Sequence, residues 1–301
     1  MPSINVQNIS KKFGQQNVVD NVSFNVEAGE IFGLLGPNGA GKTTTIRIIL
    51  DIFKPDSGSV AILGGPMTEE KKNDIGYLPE ERGLYQDIPL ERCLVYLATL
   101  KGMSSSLAHD RVKNYLDRFD LGPWSKKKVK ELSKGMQQKA QLITTLVHQP
   151  QLIIVDEPFS ALDPINTQMV KELLREEQKA GRTIILCTHQ MNQVEELCDR
   201  LVLIDHGQAM LYGTLHDLRQ QFAKPILTVS SPDPFPQLLA GVDEIKKENG
   251  SYSLHLTPGK SPQEVLQVLV ASNIRIEKFE IALPSLDEIF IEVIKNQGAR
   301  K

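Results

Sequence analysis

GPNGAGKTT, Gly36 to Thr44, sets the reading of this 301-residue chain. It fits G-x-x-x-x-G-K-[ST], a loop whose backbone N–H groups cradle phosphate. The apolar run Ile31 to Leu35 before it reads as a short buried strand. Thr45 to Leu50 after it reads as a helix, so the loop's N–H groups converge at the positive end of that helix. Gly36, Gly39 and Gly41 allow a tight backbone, Lys42 brings a point charge to the outer phosphates, and Thr43 offers a hydroxyl to Mg²⁺.

Outward from the loop, Ile4 to Ile9 and Val22 to Val26 read as strands before it, and Ser59 to Leu63 and Ile75 to Leu78 as strands after its helix. Between Pro89 and Phe119 the period changes. Leu94, Leu97, Leu100, Val112, Leu116 and Phe119 fall at helical spacing, which predicts an all-helical insert over about residues 84–148. Strands resume at Leu152 to Asp156, Thr183 to Cys187 and Leu201 to Ile204, alternating with helices at Pro164 to Ala180 and Gln190 to Leu197. This alternation predicts an α/β domain over residues 1–222, with a mainly parallel sheet and helices on its faces.

A short helix, Thr214 to Phe222, precedes a second alternation over residues 225–301. Strands are expected at Ile226 to Ser230, Val242 to Glu248, Tyr252 to Leu256 and Ile274 to Ile281. Helices are expected at Pro234 to Ala240 and Pro262 to Ala271, and Asn249 with Gly250 supplies a hairpin turn. The order suits a small ferredoxin-like α+β domain, closed by a capped helix from Ser285 to Ile294.

Composition narrows the classes. At 41% hydrophobic and 24% charged the chain is an ordinary globular sequence, and its net charge of -3 argues against a broad electrostatic grip on nucleic acid. Cys93, Cys187 and Cys198 lie far apart without paired spacing, so neither a disulfide framework nor a zinc site is expected. No stretch approaches the roughly 18 uninterrupted apolar residues of a membrane span, and no apolar signal core opens the sequence.

LIIVDE, Leu152 to Glu157, is an apolar strand ending in two carboxylates, at the end where an α/β sheet places its ligand. Acidic residues are common at strand ends, so the pair alone reads equally as structural; downstream of a phosphate loop, Asp156 is placed to hold Mg²⁺, and Glu157, one residue on, to polarise an attacking water. LSKGMQQ, Leu132 to Gln138, heads a helix with Ser133 as its N-cap. By itself this reads as a capped core helix; in the order of motifs, Ser133 and Gly135 offer a hydroxyl and an open backbone N–H at a second helix N-terminus.

The series of phosphate loop, helical insert, LSKGMQQ, LIIVDEP, SALD at Ser160 to Asp163, and His189 after TIILCT resembles the ATP-binding cassette (ABC) family over about Met1 to Gly213. The resemblance implies an ATPase that uses ATP and Mg²⁺. Phe13 then stacks on adenine, and Gly36, Pro37, Asn38, Gly39, Ala40, Gly41, Lys42, Thr43 and Thr44 bind the phosphates. Thr43, Glu80 and Asp156 face the metal, and Glu157 and His189 are the catalytic glutamate and the switch histidine. Ser133, Lys134, Gly135 and Met136 form the signature loop that completes the site of a second copy, with Asp163 in the loop that links the two sites. Two departures stand out. Lys134 and Met136 replace a Gly and a Gln of the common LSGGQ, and Glu80 in Pro79-Glu80-Glu81 falls where the family usually has Gln. A carboxylate there can still ligate Mg²⁺, a hard cation, but adds negative charge near the phosphates.

The segments PEERGLY and LSKGMQQK and the tail SLDEIF look like the bacterial drug-efflux and sodium-efflux (NatA-type) exporter ATPases. That likeness implies a separate multi-span permease, docked near Glu80 to Leu90, on the cytoplasmic face of the inner membrane. A soluble ABC ATPase acting on nucleic acid or ribosomes, or a regulatory ATP-binding protein, is the alternative. The former would bring a long coiled coil or tandem cassettes, and the latter would lack Lys42 or Glu157. The tail domain's place in the chain suits a dimer clamp, a partner contact or a regulator alike.

Overall fold

The computed structural model describes residues 2–298 apart from 82, 225, 237 and 249, so Arg82, Pro225 and Asn249 of the segments above lie outside it. The chain forms two compact units, Met1–Leu215 and His216–Lys301.

In chain order the first unit runs β1 (Ile4–Phe13), β2 (Gln16–Val26), β3 (Ile31–Leu35), α1 (Lys42–Ile49), β4 (Ser57–Ile62), β5 (Ile75–Leu78), α2 (Leu90–Leu100), α3 (Ser105–Arg118) and α4 (Lys134–Leu146). It continues with β6 (Leu152–Asp156), α5 (Pro164–Lys179), β7 (Thr183–Thr188), α6 (Met191–Leu197), β8 (Arg200–Asp205) and β9 (Gln208–Thr214), before α7 (Leu215–Gln221). The main sheet has the order β5-β6-β7-β3-β8-β9. Its first five strands are parallel and β9 pairs antiparallel with β8. Strands β3, β6 and β7 are buried along their whole length, as expected of parallel strands covered on both faces.

Two features depart from the alternation read in the sequence. The early strands leave the parallel sheet and form their own antiparallel sheet, β2-β1-β4. Between the two sheets lies one apolar cluster, with Ile4, Val6, Val22 and Phe24 on one side, Phe32, Leu34, Ile154 and Ile185 on the other, and Ile46 and Ile49 of α1 among them. Burying each such side chain contributes roughly 1.5–3 kcal/mol. The second departure is β9, which follows a tight turn where His206 and Gly207 both have positive φ, 46° and 79°. That is the signature of a two-residue hairpin turn matched to strand twist.

The helical insert is present as α2, α3 and α4, with Cys93, Leu94 and Ala98 of α2, Ala108, Val112 and Leu116 of α3, and Ile143 and Leu146 of α4 all buried. Ser104 caps α3 by accepting from Leu107 N, and Ser133 caps α4 by accepting from Met136 N.

The second unit has β10 (Ile226–Ser230), β11 (Val242–Glu248), β12 (Ser251–Leu256), α8 (Pro262–Ala271), β13 (Lys278–Ile281) and α9 (Leu286–Gly298). Its sheet order, β11-β12-β10-β13, with every pairing antiparallel, is that of a ferredoxin-like sheet. The helix expected over Pro234 to Ala240 does not form among the described residues there. Pro234 and Pro236 bring no N–H to a helical ladder. Phe235 instead stacks on Tyr252 with centroids 4.2 Å apart, while Asp233, just before it, accepts from the backbone and guanidinium of Arg275. The apolar pattern of that stretch therefore packs a loop against the sheet. Ser261 and Glu264 form a reciprocal capping box on α8, and Ser285 and Glu288 bond in the same way at the start of α9.

Candidate active site

Strands β3, β7 and β6 are neighbours and end level: Leu35 pairs with Thr188, and Cys187 with Asp156. Everything immediately beyond those ends therefore meets above one edge of the sheet. The loop after β3 is fixed by glycines at close approaches. Gly36 has φ +151° and a Cβ there would lie 2.0 Å from the Ile204 carbonyl oxygen. Gly41 has φ +105° and a Cβ would lie 2.4 Å from that of Val18. No other residue fits these two positions without moving backbone. The β8–β9 turn braces the loop, Gly207 N donating to Ala40 O at 2.9 Å.

Lys42 opens α1 and is buried, its Nζ donating to the carbonyls of Gly36 at 2.8 Å and Pro37 at 3.0 Å. The ammonium is thereby held against the loop by the loop's own carbonyls. Thr43 Oγ1 donates to Asp156 Oδ2 at 3.0 Å. Burial pushes the Asp156 carboxyl above its ordinary value, against the opposing pull of hydrogen bonds from Cys187 and Thr43. Asp156 Oδ2 and Thr43 Oγ1 together form the oxygen pair that a hard cation prefers.

Glu157 is also buried, and its backbone is left-handed, φ 50°. Its Oε2 accepts from Thr188 Oγ1 at 3.0 Å, and its Oε1 accepts from His189 N at 2.9 Å and lies 2.6 Å from His189 Nδ1. A cavity of about 300 Å³ opens over these groups, lined by Val18, Asn38, Gly39, Gly41, Lys42, Thr43, Thr44, Glu80, Asp156 and Glu157. Asn38, Gly39 and Gly41 to Thr44 of the phosphate loop, Asp156, Glu157 and exposed Glu80 thus share one space, which Gly36, Pro37 and Ala40 do not line, with His189 joined through Glu157.

Other sequence-predicted residues lie apart from that cavity. Phe13 is 45% exposed and rests edge-on against Phe53 at 5.5 Å. Ser133, Lys134, Gly135 and Met136 form the start of α4, and a Cβ on Gly135 would meet the Ala161 carbonyl oxygen at 3.0 Å. Asp163 caps α5, accepting from Asn166 N at 2.9 Å. That hydrogen bond holds its carboxyl below the ordinary range. Sequence reasoning passed over Val18, Cys187, Thr188 and Gly207. Gly207 was signalled by its place in a turn between apolar runs, whereas Thr188 carried no signal beyond sitting at a strand end.

A phosphate cradle that excludes side chains, a lysine over it, and two differently held carboxylates at adjacent strand ends define a nucleoside triphosphatase site. Residues 19–160 match the family "ABC transporter", and residues 213–294 match "ATP-binding protein DrrA1-3-like, C-terminal domain". The chain belongs to the ABC transporter ATP-binding proteins, a family of ATPases. It is 39% identical to the uncharacterized ABC transporter ATP-binding protein YhaQ of Bacillus subtilis (strain 168), over 97% of this chain and 98% of that one. It is 37% identical to the Nod factor export ATP-binding protein I of Burkholderia lata, over 77% of each chain. It is 30% identical to the linearmycin resistance ATP-binding protein LnrL of Bacillus subtilis (strain 168), over 96% and 97%. Among solved structures, the ATP-binding subunit of an ABC transporter superposes with a TM-score of 0.69 at 34% identity, covering 73% of this chain and 92% of that one.

Proposed function

We propose that this chain is the ATP-hydrolysing subunit of a bacterial exporter, which pairs with a second copy around two ATP molecules and drives a separate multi-span permease. The observation that carries the reading is the single cavity shared by Lys42, Thr43, Asp156 and Glu157. The relatives named for Nod factor export and linearmycin resistance support export.

The residues present fit ATP and Mg²⁺: the loop backbone admits no side chain at Gly36 or Gly41, and Thr43 and Asp156 offer paired oxygens. Bound ATP supplies the electrophilic terminal phosphate, and Mg²⁺ supplies charge neutralisation beside it. The chain does the rest by positioning. Asn38 to Thr44 bind phosphate through backbone N–H groups, and Lys42 exchanges its loop carbonyls for phosphate oxygens. Thr43, Asp156 and Glu80 would hold the metal. Glu157 would accept a hydrogen bond from the attacking water through Oε2, which has a single protein partner, while His189 holds Oε1 and so orients the carboxylate.

In this reading Ser133 to Met136 reach the nucleotide of the second copy, which accounts for their distance from the chain's own cavity. Asp163, capping α5 two residues beyond the Ala161 carbonyl that a Cβ on Gly135 would meet, links the two sites. Phe13 is free to stack on a base, an interaction of ~1–3 kcal/mol by analogy with bases on aromatic side chains.

No helix among the described residues is long and apolar enough to cross a membrane. The permease would dock beside the insert, where a groove of about 540 Å³ is lined by Tyr77, Pro79, Leu84, Leu97, Leu100 and His148. Tyr85 and Tyr96 stand exposed at 51% and 47%, edge-on to each other. This association places the chain at the cytoplasmic face of the inner membrane. Affinity purification of the chain from detergent-solubilised membranes tests the reading. A multi-span protein should copurify, and Tyr85→Asp with Leu100→Asp should release it while the purified chain keeps its ATPase rate. Recovery of the chain only with ribosomes or nucleic acid would overturn it.

A further inference from the structure

The end of β7 carries a buried hydroxyl with a defined direction. Thr188 is fully buried. Its Oγ1 accepts from Gln190 N at 3.1 Å, which leaves its own hydrogen for Glu157 Oε2 at 3.0 Å. The other carboxylate oxygen is taken up by His189, through N at 2.9 Å and Nδ1 at 2.6 Å. Glu157 N donates to Cys187 O at 2.9 Å. Three consecutive residues, Cys187, Thr188 and His189, thus hold the backbone and both side-chain oxygens of Glu157. Such a set of restraints is what a non-glycine residue at φ 50° needs in order to persist.

We infer that Thr188 is a positioning residue for hydrolysis, its hydroxyl fixing the rotation of the Glu157 carboxylate. The inference rests on reading Glu157 as the carboxylate that polarises water. Without the hydroxyl, Oε2 is buried with one partner fewer and the carboxylate turns about its last bond, meeting water in several orientations instead of one. His189 alone cannot prevent this, because both of its contacts fall on Oε1.

The test is steady-state ATP turnover by the full chain with Mg²⁺. Thr188→Val keeps the branched shape that suits a strand and removes the hydroxyl. It should lower kcat about 10- to 100-fold, the range for hydrogen bonds to charged groups, with KM for ATP shifted less than about 2-fold. Thr188→Ser, which keeps the donor, should recover most of kcat. If Thr188→Val does not yield folded protein by thermal unfolding, Thr188→Ala serves in its place. In a Glu157→Gln background, loss of the hydroxyl should not lower the residual rate further, because Thr188 acts only through that carboxylate. A wild-type kcat in Thr188→Val, or the same fold loss with and without Glu157, overturns the inference. Wild-type turnover in Glu157→Gln alone would instead sink the reading of Glu157 itself, and the inference with it.

Discussion

His148→Gln should flatten the acid side of this protein's stability profile. His148 follows α4 and packs beside β5, its Nε2 3.2 Å from Ile75 O. That contact requires the proton on Nε2, so Nδ1 is a bare acceptor, buried and without a hydrogen-bond partner. Protonating it would place a cation out of water near the Lys101 ammonium, itself bonded to Lys72 O and Ile75 O. Burial first, then repulsion from Lys101, pushes the imidazole down from 6.5 to about 4, although the Ile75 contact and Asp74 pull the other way. Above pH 6.5 neither folded nor unfolded chain carries this proton. Between 6.5 and 4 only the unfolded chain takes it up, so stability falls as pH falls through that window, and below about 4 the loss is complete. At roughly 1.4 kcal/mol per pH unit the full loss is about 3 kcal/mol. Trp124, the chain's single tryptophan, lies in the same compact unit and reports its unfolding. Urea titrations followed by its fluorescence, at steps from pH 7.5 to 4, should show the wild type losing about 3 kcal/mol more than His148→Gln, whose amide can still donate to Ile75 O. Parallel curves for the two proteins would refute the reasoning.

Lys42→Ala should weaken ATP binding by roughly 10²–10³-fold, read by equilibrium titration, since it removes a preorganised charge from the loop. Glu80→Gln should leave ATP affinity largely intact but change how turnover depends on Mg²⁺; identical Mg²⁺ profiles would count against a metal-facing role. Leu254→Ala, in the second unit's core with Leu227, Val229 and Leu269, should cost about 2–5 kcal/mol. Calorimetry checks this, and a change below about 1 kcal/mol would mean the site collapses around the deletion.

Much of the site was legible because its chemistry is local. The loop Gly36 to Thr44 carries a specific spacing, the pair Asp156-Glu157 gains meaning only by following that loop, and both adjoin strands read with their observed limits, Ile31 to Leu35 and Leu152 to Asp156. The coupling of Glu157 to Thr188 and His189 was not legible, because it depends on β6 and β7 being neighbours in register, which is a tertiary fact. Assigning β1, β2 and β4 to a separate sheet was beyond reach for the same reason: an antiparallel strand with one buried face alternates alike in either sheet. Over Pro234 to Ala240 the apolar pattern misled, since two prolines outweigh it. The strand β9 was overlooked although Asp205-His206-Gly207 carried the turn signal.

The central claim, that the cavity over β3, β6 and β7 hydrolyses ATP between two copies of the chain, is tested most directly by Glu157→Gln. Sedimentation and turnover would be measured together on the purified full chain with ATP and Mg²⁺. The expected result is a stable ATP-bound dimer with turnover almost abolished. Monomers hydrolysing ATP at the wild-type rate would contradict the account.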